Sequence, residues 1–163
     1  MPRAYISYRR ADSAAYAGRL YDRLAGEFGS QSVFLDVSGI APGEAFGSVI
    51  DDAIRTADIV IVIIGPRWLG AADASAARRL DHPDDFVRRE VATALASGTY
   101  VIPVLVDGAV MPSGAELPSE LAPLALRNAL DLTGDWNRGT EHLPSCVAST
   151  RSRRRGRRRL RRR

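Results

Sequence analysis

Three residue types that carry much enzyme chemistry are missing or scarce in this chain of 163 residues. It has no lysine, one cysteine (Cys146) and two histidines, His82 and His142. The missing lysine excludes a phosphate-binding P-loop and a Schiff-base mechanism, because both need that side chain. The single cysteine excludes an internal disulfide bond and a zinc site built on several cysteines. With the histidines far apart in sequence, we expect no bound metal ion.

Long apolar segments are also missing. The longest apolar run is Ile59–Ile64, whereas about 20 apolar residues are needed to cross a bilayer. The N-terminus, MPRAYISYRR, lacks the apolar core of a signal peptide. These absences predict a protein that makes no membrane contact and works in the cytoplasm.

Charges of the two signs are unevenly distributed. The net charge is +4 and the isoelectric point is about 9.8, yet residues 1–150 hold 13 basic and 19 acidic side chains and so carry −6. Residues 151–163 hold ten arginines and carry +10. The overall isoelectric point is therefore no argument for a nucleic-acid-binding domain.

Short β-rich runs alternate with amphipathic helical stretches along the acidic part. The run Ile59–Ile64 is β-branched throughout, which is typical of a strand buried on both faces of a parallel sheet. Strands separated by helices indicate βαβ crossovers. We predict an α/β fold with a flavodoxin-like, doubly wound sheet of five parallel strands and helices on both faces. The strands are predicted near 5–8, 33–35, 59–64, 100–106 and 128–132, and the main helices at 13–28, 44–56 and 84–97.

The end of the predicted domain lies at residue 143. A helix starts around 136–143 but meets Pro144, and residues 146–150 show no helical face. We therefore predict a truncated last helix, a domain at 1–143 and a disordered arginine-rich tail at 144–163. The charge of this tail would suit nucleic acid or an anionic membrane. The alternative is a frame change in a GC-rich coding sequence, which would replace the last helix with arginine-rich sequence.

Five motifs, in order along residues 3–143, resemble those of a TIR (Toll/interleukin-1 receptor) domain of the bacterial kind. Each motif alone is weak, and their order on the predicted fold makes the resemblance specific. They are AYISYRR at 4–10, FLDVSGIAPG at 34–43, GPRW at 65–68, DFVRREVATAL at 85–95 and VIPVLVDG at 101–108.

The resemblance implies a reaction as well as a fold. Many relatives cleave NAD+ at the nicotinamide–ribose bond, releasing nicotinamide and ADP-ribose or a cyclic isomer, and some take part in bacterial defence or signalling. NAD+ would be the substrate, and no cofactor is implied. The helix at 85–95 resembles the one that holds their acidic residue, which makes Glu90 the candidate catalytic carboxylate. Phe86 lies one turn earlier, so its ring can neighbour Glu90. Otherwise Glu90 is a solvated residue near Arg88 or Arg89.

Further substrate-binding candidates follow the first three strands. Arg9 and Arg10 end the first strand, beside Tyr8, where a guanidinium group could hold the diphosphate of NAD+. The alternative for these arginines is an ion pair with Asp12 or Asp36. Trp68 could stack on a base or pack at the sheet edge. The resemblance implies that Arg10 and its neighbours line the nucleotide pocket. Asp36 and Ser38 begin the loop after the second strand and are further candidates for substrate binding.

The loop after the second strand also supports a different class of function. Its Gly39, Pro42 and Gly43 predict a mobile loop that gates the pocket or docks a neighbouring copy. Some relatives have no enzymatic activity and act through TIR–TIR association, so the alternative to an NAD+-cleaving enzyme is a non-enzymatic interaction module. Nucleic-acid binding by the tail is the weakest of the three hypotheses.

Overall fold

The computed structural model describes residues 1–35 and 46–150. The strands in these residues are β1 Ala4–Ser7, β2 Val33–Phe34, β3 Ile59–Ile64, β4 Tyr100–Leu105 and β5 Leu130–Asp131. The helices are α1 Arg10–Phe28, α2 Phe46–Thr56, α3 Phe86–Ala96, α4 Trp136–Thr140 and α5 at 143–150. Among these helices none combines the length and the apolar character that a membrane span requires.

The strands form one parallel sheet in the order β2-β1-β3-β4-β5. β3 lies at the centre, between β1 and β4, and every one of its side chains is buried. The chain passes outward from β1 to β2 and then returns to β3 on the other side, which confirms the predicted flavodoxin-like, doubly wound α/β fold. The edge strands β2 and β5 are shorter than predicted, with two residues each.

Each face of the sheet packs against helices and encloses its own hydrophobic core. Val60, Val62 and Ile64 of β3 contribute to the core that includes side chains of α2 and α3. Ile59, Ile61 and Ile63 contribute to the core on the opposite face, with side chains of α1 and α5. Successive side chains of a strand point to opposite faces. A strand between two cores must therefore be apolar throughout, as this one is.

The C-terminal helix α5 corrects one prediction. Residues 143–150 are helical, and the buried positions Leu143, Val147 and Thr150 follow helical spacing. Pro144 is compatible with this helix because it occupies the first turn, where its missing N–H is not needed. The predicted interruption of the last helix at Pro144 is therefore wrong, whereas the domain end at 143 stays a prediction. The rest of the predicted tail, 151–163, lies outside the described residues.

Replacing Val147 by alanine is expected to lower the free energy of unfolding by about 2 kcal/mol, because buried methyl groups are lost and a cavity remains. The measurement is urea unfolding of the full chain, followed by circular dichroism. Cys146→Ala is the matched control, since Cys146 is the exposed neighbour in the same helix, and should change the free energy by less than about 0.5 kcal/mol. Equal effects of the two substitutions would contradict a packed α5.

Candidate active site

A cavity of about 680 Å³ opens at the carboxyl ends of β1 and β3. Its walls are the first turns of α1 and α3 and the loop that follows β3. This volume lies within the range of roughly 300–1,000 Å³ that is usual for small-molecule sites. The edge is also the one at which doubly wound sheets bind ligands. Polar and aromatic side chains that line it include Tyr8, Arg10, Arg67, Arg79, Phe86 and Glu90.

Two hydroxyl groups of β1 hold the carboxylate of Glu90. The Tyr5 hydroxyl donates to Oε1 at 2.8 Å, and the Ser7 hydroxyl donates to Oε2 at 2.5 Å. Tyr5 is 4% exposed and Ser7 is fully buried. The two residues lie two positions apart in a strand and therefore point to the same face of the sheet. The orientation of the Glu90 carboxylate is thus set by the central sheet as well as by its own helix.

The helix α3 presents Glu90 to the cavity because of how it begins and packs. Its N-cap is Asp85, whose carboxylate accepts a hydrogen bond from the backbone N–H of Arg88. Its buried stripe, Val87, Val91 and Ala94, faces the sheet. Glu90 lies on the flank of that stripe and is partly exposed. Phe86, one turn earlier, is 49% exposed and also lines the cavity. The predicted proximity of Phe86 and Glu90 is therefore present.

The guanidinium group of Arg9 is committed to a buried ion pair. Its two terminal nitrogens donate to the two carboxylate oxygens of Asp85 at 2.9 and 2.8 Å, and Nε donates to the backbone oxygen of Trp68 at 3.1 Å. The side chains are 5% and 8% exposed. Arg9 does pair with a carboxylate, but its partner is Asp85, whereas the sequence pointed to Asp12 or Asp36. The ion pair occupies the terminal nitrogens through which a guanidinium group binds phosphate oxygens. Arg9 is therefore a poor candidate for binding a diphosphate.

Asp12 fixes the loop that leaves β3. Its carboxylate accepts hydrogen bonds from the backbone N–H groups of Gly65 at 3.0 Å and Arg67 at 2.8 Å. A Cβ atom on Gly65 would lie 2.4 Å from Asp12 Oδ2, so a larger residue there would displace the Asp12 carboxylate from these hydrogen bonds. The Arg67 guanidinium group donates to the backbone oxygen of Ala11, in the first turn of α1. The loop thereby carries Arg67 along the cavity wall.

The part of the same loop that carries Arg79 is held by carboxylates. Asp73 accepts hydrogen bonds from the side chain and backbone of Ser75 and from the Ala77 N–H, and these bonds, the Ser75 hydroxyl first, lower the pKa of Asp73. The hydrogen bond from Arg78 lowers the pKa of Asp81. At pH values above the ordinary aspartate pKa of 3.8, these lowered pKa values mean that the ionised carboxylates stabilise the folded loop. This stabilisation is lost as the pH falls through the lowered values.

The predicted site residues fall into three groups by their location. Tyr8, Arg9, Arg10, Phe86 and Glu90 line one cavity. Trp68 does not line it. It is fully buried in the core that includes α2 and α3, where it is inaccessible to a base. The loop candidates lie outside the described residues, and they are Asp36, Ser38, Gly39, Pro42 and Gly43.

Four residues of the site were not predicted from the sequence. In the sequence, Tyr5 and Ser7 look like ordinary strand residues. The signal that could have identified them is their spacing of two positions, which places both side chains on the same face of the strand. Arg67 and Arg79 lie in the loop after the third strand, at the edge where ligands bind. Neither is paired with a carboxylate in the part of the chain that the structure describes. Within 1–35 and 46–150, no group of three His, Cys, Asp or Glu residues could hold a metal ion.

Comparisons with known proteins add family information to this geometry. The sequence model of the TIR domain matches residues 5–143. The NAD(+) hydrolase sarm1 of Drosophila melanogaster is 27% identical over 134 residues, which is 81% of this chain but only 9% of that much longer protein. The TIR domains of the activated Roq1 resistosome, which recognises the pathogen effector XopQ, align with a TM-score of 0.68 at 13% identity. That alignment covers 90% of this chain and 99% of the other, and it supports the fold.

Replacing Asp85 by asparagine is expected to lower the free energy of unfolding by about 3 kcal/mol, because Arg9 is left buried without its counter-charge. Chemical denaturation measures the loss. Asp22→Asn, an exposed aspartate of α1, is the control and should cost less than about 0.5 kcal/mol. Adding Arg9→Met to Asp85→Asn removes both charges and should restore part of the loss. A double variant that is less stable than Asp85→Asn alone would contradict this account of the pair.

Proposed function

Since the chain belongs to the TIR domain family, we propose that it is an NAD+ glycohydrolase or cyclase. It cleaves the bond between nicotinamide and ribose and releases nicotinamide with ADP-ribose or a cyclic isomer. The observation that carries the proposal is the Glu90 carboxylate, held by two hydroxyl groups at the wall of a cavity of suitable size, beside the exposed ring of Phe86. The named activity of the Drosophila relative supports the same reaction.

One carboxylate is chemically sufficient for this reaction. The nicotinamide ring of NAD+ is a cationic pyridinium and leaves as a neutral base, so no general acid has to protonate it. Ordinary glycosides, by contrast, need two carboxyl groups. What the protein must supply is stabilisation of the positive charge that develops on the ribose. A fixed carboxylate next to the sugar does this electrostatically, and Glu90 is the residue in that role.

The charges around the cavity match a ligand with a cationic and an anionic part. Glu90 is anchored on β1, whereas the Arg67 guanidinium group lies against the first turn of α1. Arg10 and Arg79 also line the cavity. We assign the diphosphate to these three arginines, because a guanidinium group binds phosphate oxygens through parallel hydrogen bonds. Arg9 has no such role here, since Asp85 occupies it.

The aromatic side chains of the cavity serve the neutral parts of the substrate. Phe86 lies one helical turn from Glu90 and presents an exposed ring, on which a nicotinamide ring can pack. Tyr8 lines the same cavity at the end of β1. NAD+ enters as a substrate, and the reaction needs no cofactor. We place the activity in the cytoplasm, in bacterial defence or signalling.

Self-association is the second candidate function. The structural neighbour named above is part of a resistosome, and its TIR domains share the fold of this chain. The proposed contact is the loop with Gly39, Pro42 and Gly43, against another copy. The two functions are compatible, because assembly can complete a catalytic site between subunits. A dilute monomer without activity would then become active on concentration.

Replacing Glu90 by glutamine is expected to slow nicotinamide release by about 100-fold or more, because the negative charge is lost while the shape of the side chain is kept. The measurement is chromatographic detection of nicotinamide during incubation with NAD+, over a series of protein concentrations. Glu27→Gln, an exposed glutamate of α1, is the control and should leave the rate unchanged. An undiminished rate in the Glu90 variant would overturn its assignment. Wild-type protein that releases no nicotinamide at any concentration would overturn the enzyme proposal.

Replacing Gly43 by arginine is expected to weaken self-association at least tenfold, because a long charged side chain is added to the proposed contact loop. Sedimentation velocity over a concentration series measures the association. Gly26→Arg is the control, since a side chain at this position of α1 would meet open space. Unchanged association in the Gly43 variant would remove the loop from the interface.

A further inference from the structure

We propose that Tyr5 and Ser7 are positioning residues, which fix the plane of the Glu90 carboxylate. The inference rests on the proposed function, since NAD+ cleavage is the reaction that Glu90 would serve. The two hydroxyl groups come from one strand, and each donates to a different oxygen of the same carboxylate.

Two bonds to different oxygens do what one bond cannot. The terminal torsion of a glutamate side chain is broad, so a carboxylate with one hydrogen bond can still rotate about its last carbon–carbon bond. Donors at Oε1 and Oε2 define the plane of the group. Both donors are themselves rigid, because Tyr5 and Ser7 are buried in the central sheet. A carboxylate fixed in advance loses no energy to reorientation when charge develops on the substrate.

The chemical type of the donors also matters. Hydroxyl groups are neutral, and they orient a carboxylate while leaving its full negative charge. Tyr5 and Ser7 are not among the residues that line the cavity. They lie behind Glu90 and act on the substrate only through it, so their loss should change turnover more than substrate binding.

The kinetic test uses near-isosteric deletions of each hydroxyl group, Tyr5→Phe and Ser7→Ala, in the full chain. Each is expected to lower kcat for nicotinamide release by roughly 10- to 100-fold, with KM changed by less than twofold. In a Glu90→Gln background, the same deletions should cause no further loss of kcat. Tyr21→Phe and Ser30→Ala remove hydroxyl groups outside the site and should have no effect in either background. Equal losses of kcat with and without the Glu90 carboxylate would overturn the proposal.

A stability test works without any enzymatic activity. Each deletion is expected to lower Tm by about 2–4 °C in the wild-type chain, since a hydrogen bond to a charged group is lost. In a Glu90→Ala background the decrease should be smaller, because the hydrogen bond to the carboxylate is already absent. Decreases of Tm that are equal in both backgrounds would overturn the proposed positioning of Glu90 by Tyr5 and Ser7. Coupled Tm values without nicotinamide release would support the hydrogen bonds and overturn the NAD+-cleaving function. Release without coupling would leave that function standing and remove Tyr5 and Ser7 from it.

Discussion

The buried ion pair between Arg9 and Asp85 joins the end of β1 to the first turn of α3, and the geometry of the cavity depends on this joint. Asp85 serves both elements at once, because it binds the Arg9 guanidinium group and caps α3 through the Arg88 N–H. Nε of Arg9 adds a bond to the backbone of the loop after β3. A buried pair of charges is a weak source of stability, but it is costly to satisfy in any other arrangement. The strand, the helix and the loop are therefore held in one relative position.

That position brings a helix residue and two strand residues into contact. Glu90 lies about one turn beyond the α3 N-cap and faces β1, so the carboxylate reaches the hydroxyl groups of Tyr5 and Ser7. The loop after β3 is tied to α1 in a similar way, through the carboxylate of Asp12. The central strand β3 makes the sheet under the cavity rigid, because all its side chains are buried. The cavity thus has three fixed walls, each anchored by a polar contact between elements distant in sequence.

This distance explains what the sequence could and could not predict. The sheet followed from the β-branched run of β3, and the flank position of Glu90 followed from the periodicity of α3, because both signals are local. The ion pair of Arg9 with Asp85 and the hydrogen bonds of Glu90 with Tyr5 and Ser7 join residues that are 76 to 85 positions apart in sequence, where no local pattern connects them. The role of Trp68 was left open between stacking on a base and packing at the sheet edge, because a local motif cannot tell a buried ring from an exposed one. The helix α5 was missed because Pro144 and the arginines after it obscured the spacing of Leu143 and Val147.

The described wall of the cavity carries three carboxylates, and their partners separate their roles. Asp12 is bound by backbone N–H groups and shapes a loop, while Asp85 is bound by a guanidinium group and joins two elements. Glu90 accepts hydrogen bonds from the hydroxyl groups of Tyr5 and Ser7, one at each carboxylate oxygen. A reaction that generates positive charge on a sugar is favoured by a carboxylate that is fixed in advance. The proposed catalytic role therefore falls to Glu90, whereas Asp12 and Asp85 build the cavity around it.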